Sequence, residues 1–167
     1  GQKEPDMHRI LDRKVARGSG NIAREPAMSR TGCLQALLSG IDLAFRLKEM
    51  GYEMLAAGEM GIENTTPAAA MSAVLTGLSP EEATGRGAGL SDAGLEKKKK
   101  AVEMAVSRFY EKYPEYRNGT KEQYESGELS AATVLAELGG LDLAGMTGLF
   151  PGGAAAKIPV LRDGFRY

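Results

Sequence analysis

A chain of 167 residues, 43% hydrophobic and 26% charged, has the composition of an ordinary globular protein and the length of one domain or a piece of a larger one. Its net charge of −1 argues against a nucleic-acid or acidic-membrane partner, and no apolar run is long enough to span a bilayer. One cysteine, Cys33, and one histidine, His8, exclude an internal disulfide framework and argue against a His/Cys metal site, so no metal or cofactor is expected. The start of the chain carries no basic segment followed by an apolar one, and the expected location is the cytoplasm.

Met7 to Arg17 reads as a short basic helix ending near Gly18, followed by a turn cluster at Gly18-Ser19-Gly20-Asn21. His8 has nothing nearby to orient it and reads as a surface residue. Glu25-Pro26 disfavours helix just before Ser29. Ser29 to Met50 then predicts a helix with Ser29 as N-cap and Gly51 at the C′ position. Leu34, Leu37, Leu38, Ile41, Ala44 and Phe45 recur at three- and four-residue spacing and predict its core face. Cys33, in the first turn, reads as a packed structural thiol because no histidine partners it.

Tyr52 to Ala57 is short and apolar, as a buried strand is. Gly58-Glu59-Met60-Gly61 is a turn with two glycines. Asn64, Thr65 and Thr66 are N-cap residue types, Pro67 fits the first helical position, and Gly77 stops the helix after Thr76. A glycine turn feeding a helix N-terminus offers free N–H groups and a positive dipole end to an anion. Many α/β units have such a turn and bind nothing, so this pattern alone is a weak signal.

Ser79 and Glu82 form a capping box with Pro80 at the first helical position. Thr84-Gly85-Arg86-Gly87-Ala88-Gly89 lacks the spacing and the preceding strand of a dinucleotide fingerprint, and reads as a second ligand-approaching loop or a plain linker. A long helix runs from Asp92 to Tyr113 and ends at Pro114. Leu95, Val102, Val106, Phe109 and Tyr113 lie on one stripe of it. Within the run Lys97–Lys100, helical projection sets Lys98 and Lys99 beside that stripe and turns Lys97 and Lys100 away. Geometry does not choose between Lys98 and Lys99, and such a run is more often a solvated face.

Pro114 to Ser130 is polar, with a cap at Thr120–Gln123. Ala131 to Leu138 predicts a helix ending at Gly139-Gly140. A further small-residue helix starts near Leu141, and Pro151-Gly152-Gly153 is expected to break or kink it. Ile158 to Leu161 reads as a buried strand. Asp163 at its end is either a ligand contact or a turn residue bonding its own backbone. Two apolar strands separated by helices predict an α/β fold: a Rossmann-like parallel sheet flanked by helices, rich in helix.

Four segments, in order, resemble the nicotinate-nucleotide–dimethylbenzimidazole phosphoribosyltransferases. These are NIAREPAMS (21–29), GEMGIENTT (58–66), TGRGAGLSDAGLEKK (84–98), and the late pair ELGGLDLAGMTG (137–148) and IPVLRDGF (158–165). GEMGIENTT is close to the family's GEMGIGNTT loop and is far more specific than a lone glycine motif. The resemblance implies transfer of the phosphoribosyl group of nicotinate mononucleotide to a benzimidazole-type base, without a metal, in a homodimer. It implies substrate contacts at Gly58, Gly61, Asn64, Thr65, Arg86, Gly87, Gly89, Gly139, Gly140 and Asp163. It favours Lys98 over Lys99, and it gives Glu59 the task of orienting the ribose or stabilising positive charge on the sugar. Three departures stand out. Glu63 replaces a family glycine, and either weakens anion binding or points to solvent. Pro151-Gly152-Gly153 interrupts a smoother helix, and Pro114 to Leu129 is longer than its counterpart. The resemblance also makes residues 1–167 most of a large domain, with the family's acceptor-base region and catalytic glutamate outside it, so that this stretch alone is expected to turn over little. The alternatives are a non-catalytic core that folds or dimerises, and another mononucleotide-binding α/β enzyme.

Overall fold

The computed structural model describes residues 11–59 and 61–162 of the chain. Helix α1 spans Arg30–Glu49, strand β1 Leu55–Ala57, helix α2 Thr65–Thr76 and the single turn α3 Pro80–Ala83. Helix α4 spans Asp92–Lys112, and after a 3-10 turn at Pro114–Asn118 come α5 (Lys121–Ser126) and α6 (Ala131–Leu138). Helix α7 (Leu141–Ala156) and strand β2 (Val160–Arg162) complete the fold. β1 and β2 pair in parallel, with Leu55 opposite Val160 and Ala57 opposite Arg162, and α1 and α7 pack against this small sheet. None of the described helices is long and apolar enough to cross a membrane.

Helix ends obey their caps. The Ser29 hydroxyl accepts from Gly32 N at 3.0 Å, and Gly51, just past the last turn of α1, has φ +92°. Ser79–Glu82 and Thr120–Gln123 both close as reciprocal capping boxes. Two ends differ from expectation. The Ser91 hydroxyl, not Asp92, caps α4. α2 begins at Thr65, so Pro67 is its third residue and still falls among the N–H groups that have no helical acceptor. At the start of the chain, residues 11–17 form no helix; the rest of the expected Met7–Arg17 helix, and His8, lie outside the described residues.

The main core lies between α2, α4 and α6. Phe109, Leu138, Val74, Val102 and Val134 are fully enclosed there, and Phe109 packs edge-on to Tyr116 with ring centroids 5.1 Å apart. The core face expected for α1 holds only in part. Ala44 is buried and Leu37 and Ile41 are half-buried as expected, but Leu34, Leu38 and Phe45 are exposed, and Cys33, Ala36 and Gly40 are buried instead. The cause is backbone contact with α7. A Cβ on Gly40 would sit 2.0 Å from the Gly145 carbonyl oxygen, and one on Gly148 would sit 2.0 Å from the Leu37 carbonyl oxygen. Only a face of small residues allows that approach, so α1 turns Leu34, Leu38 and Phe45 outward. Burial pushes the Cys33 thiol pKa up, as a packed structural thiol requires.

The same contact overrides Pro151. Helix α7 runs unbroken through it. Proline removes one hydrogen bond. Its neighbours are pinned on two sides, since a Cβ on Gly152 would lie 2.7 Å from Ile41 Cα and one on Gly153 would lie 2.3 Å from a Val160 methyl. Packing against α1 and β2 therefore outweighs the lost bond.

These distances predict opposite effects from two similar substitutions. Gly148→Ala forces the helices apart and should cost about 2–3 kcal/mol or more. A Cβ on Gly145 meets only the Ala36 carbonyl oxygen at 3.8 Å, so Gly145→Ala should stabilise the helix by up to about 1 kcal/mol. Urea unfolding of the two variants measures both, and equal effects would contradict the backbone contact.

Candidate active site

The loop from Gly58 to Asn64 joins the end of β1 to the start of α2. Two of its residues, Gly61 (φ +73°) and Glu63 (φ +67°), hold left-handed backbone. That conformation explains why glycine suits both positions, and Glu63 adopts it with a side chain. Glu59 folds back over the loop, its Oε2 accepting from Gly61 N and from Asn64 Nδ2. Asn64 Nδ2 also donates to Asp142 Oδ2 at 3.0 Å, in the first turn of α7. Two carboxylates thus take the amide nitrogen and fix the orientation of the amide. Its oxygen, Oδ1, is left buried with no hydrogen-bond partner among the described residues. Asn64 is the N-cap of α2 by position but spends its side chain on this bridge rather than on the helix.

Glu63, Asn64 and Thr66 line one side of a cavity of about 510 Å³. Gly139, Gly140 and Asp142 line another, and the segment Arg17–Ile22 closes it. A second cavity of about 450 Å³ adjoins it and shares Ala16, Leu141 and Asp142. Its walls are largely apolar, and Gly58 lies among them.

The second glycine loop meets the first at Lys98. Lys98 is 6% exposed, and its Nζ donates to Thr65 Oγ1 at 2.9 Å and to the Gly85 carbonyl at 2.8 Å. A Cβ on Gly87 would stand 2.9 Å from Thr65 Oγ1 and 3.5 Å from Lys98 Nζ, so this glycine is required both by its φ of +58° and by close approach. No carboxylate among the described residues pairs with Lys98, and burial pushes its pKa below the usual lysine value. Lys99 behaves differently, bridging Glu81 at 2.9 Å and Glu96 at 3.2 Å, while Lys97 and Lys100 are exposed.

The expected residues therefore fall into two adjoining groups, joined where Asn64 meets Thr65. Asn64, Gly139 and Gly140 face the larger cavity, with Gly58 on the adjoining one. Thr65, Gly87 and Lys98 converge beside them. Glu59 and Gly61 shape the loop itself. Arg86 stays apart, tied to Asp92 at 2.5 Å and to the Leu90 carbonyl at 2.9 Å. Gly89 needs its φ of +100° but touches nothing that a Cβ would meet. Asp163 lies outside the described residues. Sequence reasoning missed Ser19 and Gly20, read only as a turn, and assigned no contact to Asn21 or Asp142, although both fall in segments that carry the family resemblance.

This α/β fold places a glycine loop and the start of α2 around a buried lysine. The family model described as Phosphoribosyltransferase matches residues 1–167, and the chain belongs to that family. It is 42% identical over 164 residues to the nicotinate-nucleotide–dimethylbenzimidazole phosphoribosyltransferase of Desulfotalea psychrophila, covering 96% of this chain and 41% of that protein. The enzyme of the same name from Chlorobaculum tepidum is 43% identical over 159 residues, covering 95% of this chain and 41% of that protein. The crystal structure of CobT from Thermus thermophilus superposes with a TM-score of 0.78 at 38% identity, covering 98% of this chain and 44% of that one. The chain spans about two fifths of the length of the curated relatives it matches.

Two stability predictions follow from the loop and the lysine. Glu63→Gly removes a side chain from left-handed backbone and should raise the unfolding free energy by about 0.5–1 kcal/mol, measured in urea. For Lys98, the folded pKa lies below the unfolded value of 10.5. Between the two values the unfolded chain binds more protons, so folding stability contributed by this group rises with pH there. Below the folded pKa the full cost of burying the charge remains. Lys98→Met should therefore be at least as stable as the parent at neutral pH, with the gap narrowing as pH approaches 10.5. A variant that is less stable at neutral pH would show the ammonium to be a net structural asset.

Proposed function

We propose that this chain forms the phosphoribosyl-binding part of an enzyme that moves the 5-phosphoribosyl group of nicotinate mononucleotide to 5,6-dimethylbenzimidazole. The products are α-ribazole 5′-phosphate and nicotinate, a step of cobalamin biosynthesis. The observation that carries the reading is Lys98: a buried ammonium bonded only to Thr65 and the Gly85 carbonyl, with no counter-charge among the described residues. A buried cation of this kind is costly until an anion arrives. The phosphate is that anion, held by Lys98, the Thr65 hydroxyl and the backbone around Gly87, with Gly61 and Gly89 included on motif position alone. Thr65 begins α2, whose positive end favours the same charge.

The ribose belongs to the larger cavity. The unpartnered Oδ1 of Asn64 supports its accepting a ribose hydroxyl, and Gly139 and Gly140 let the sugar approach their backbone. Loss of a pyridinium leaving group builds positive charge at the anomeric carbon. Glu59 and Asp142, both bonded to Asn64, supply negative charge on that side. Holding phosphate and ribose rigidly is this chain's contribution to rate. Arg86 and Asp163 remain candidate substrate contacts on the strength of their motif positions alone. The reading includes a homodimer, supported by the exposed Leu34, Leu38 and Phe45 on α1, and a cytoplasmic setting.

Titration calorimetry with nicotinate mononucleotide tests the reading. The parent chain should bind it, and Lys98→Ala should lose roughly 1.5–3 kcal/mol of binding free energy, the worth of a charge-assisted hydrogen bond. Lys97→Ala and Lys100→Ala should change affinity by less than about twofold, as exposed, screened charges do. Equal small losses in all three would remove the lysine from the site.

A further inference from the structure

Beside the loop and first turn of α2 that form one wall, the larger cavity has two walls from segments far apart in sequence, Arg17–Ile22 and Gly139–Asp142. Neither of these two segments belongs to a strand, and helix enters them only at the start of α7. What sets their separation is a closed hydrogen-bond circuit centred on Arg108 of α4 and Glu137 of α6. Arg108 Nε donates to the Ile22 carbonyl at 3.0 Å. Its Nη2 donates to the Glu137 carbonyl at 3.0 Å, and its Nη1 to Glu137 Oε2 at 2.8 Å. The Glu137 carbonyl also accepts from Ala27 N at 3.0 Å, and the Ala27 carbonyl accepts from Gly20 N at 2.7 Å. Gly20 and Ile22 belong to one wall, Ala27 ties that wall back to Glu137 from outside the cavity, and the other wall begins two residues after Glu137. Ser19 and Leu141 complete the seam, with Leu141 N 3.4 Å from Ser19 Oγ.

Glu137 is almost wholly enclosed, its side chain 7% exposed and that of Arg108 17%. Burial by itself pushes the Glu137 carboxyl up, but hydrogen bonds from Lys112, Arg108 and Tyr113 outweigh it and hold the carboxyl below its usual range. Lys112 reaches the other oxygen, Oε1, at 2.6 Å from the solvent side and touches neither wall. The two cations on one carboxylate are therefore not equivalent. Only the guanidinium carries enough donors, in a fixed plane, to hold the carboxylate and two backbone carbonyls from different segments at once.

We propose that Arg108 is a positioning residue for the larger cavity, fixing the distance between the Arg17–Ile22 and Gly139–Asp142 walls through Glu137, and so setting its affinity for the ribosyl part of the ligand. This rests on the reading of that cavity as the nucleotide site. The circuit leaves the phosphate group's partners untouched, because Lys98 lies ten residues earlier on α4 and bonds to neither wall.

The comparison is Arg108→Lys, which keeps the charge but not the fork, against Lys112→Met, which removes a partner of Glu137 but leaves the walls tied. Both should lower Tm. Arg108→Lys should raise the Kd for nicotinate mononucleotide at least tenfold, measured where all variants are fully folded, since small misplacements of binding groups cost one to two orders of magnitude. Lys112→Met should leave the Kd within about twofold. The Kd for inorganic phosphate should be the same in all three proteins, a readout that general loosening would move. A lowered Tm with unchanged mononucleotide affinity in Arg108→Lys would overturn the proposal. Amide hydrogen exchange on the empty proteins provides a test independent of the function. Arg108→Lys should speed exchange at Gly20 and Ala27 together, and in the parent chain these two amides should open as one unit. Gly20 exchanging freely in the parent while Ala27 stays protected would also overturn it. If the parent bound phosphate but not the mononucleotide, the functional reading would fail, and the exchange data alone would decide the role of Arg108.

Discussion

Two helices can touch backbone to backbone only where side chains are missing, and the contact between α1 and α7 imposes that constraint on the rest of the molecule. Gly40 and Gly148 allow it, each with no room for a methyl group. Once α7 lies against α1, its far end is fixed beside β2 through Gly153, and β2 pairs with β1. The end of β1 then delivers Gly58 and the loop that follows. The near end of α7 delivers Asp142, which the loop's Asn64 reaches across 78 residues of sequence. The signature loop is thus anchored at both ends by one interhelical contact. A sheet of two short strands has little stability alone. Here it depends on helix packing rather than the reverse.

Two buried charges show how structural and functional polar groups differ in one core. Glu137 is surrounded by donors from Arg108, Lys112 and Tyr113, and they more than offset its desolvation. Lys98 is equally enclosed but meets only a hydroxyl and a carbonyl, and its desolvation is not offset. A core selected for stability alone would pair the second as it pairs the first, or replace it with an apolar side chain. On the proposed reading the cost is tolerable because it falls where an anion binds and repays it. Helix α4 carries both kinds of group on one rigid rod, so the lysine is held still by the same element that ties the cavity walls.

Local chemistry made much of this legible in the sequence. Ser29, Gly51, Gly77, Ser79 and Thr120 act as the caps and stops that their residue types announce. The projection of Lys98 toward the stripe of Val102, Val106 and Phe109 holds, because helix periodicity is intrinsic to the backbone. What failed was decided between elements. Leu34, Leu38 and Phe45 obey the periodicity of a core face, yet glycines on α7, far along the chain, draw the neighbouring face of small residues inward. Pro151 carries the strongest local break signal in the chain and is overruled by contacts on both sides. Asp142, Ser19 and the Arg108–Glu137 circuit had no local signal at all. A charge on a helix face looks solvated until the fold shows what covers it.

The loop around Glu63 illustrates how a site can carry a residue that local rules reject. Left-handed backbone at Gly61 and Glu63 bends the chain so that Glu59 can reach back to Gly61 N and Asn64, and that bend sets the Asn64 amide between two carboxylates. The backbone path is therefore dictated by the amide bridge and not by the preference of residue 63. Any side chain there must accept the conformation or break the bridge. A glutamate lining the same cavity as Asp142 makes the side proposed for the ribose more negative, while Lys98 keeps the other side positive. Such a gradient suits a substrate that is anionic at its phosphate and becomes cationic at its sugar, because each end meets the opposite charge.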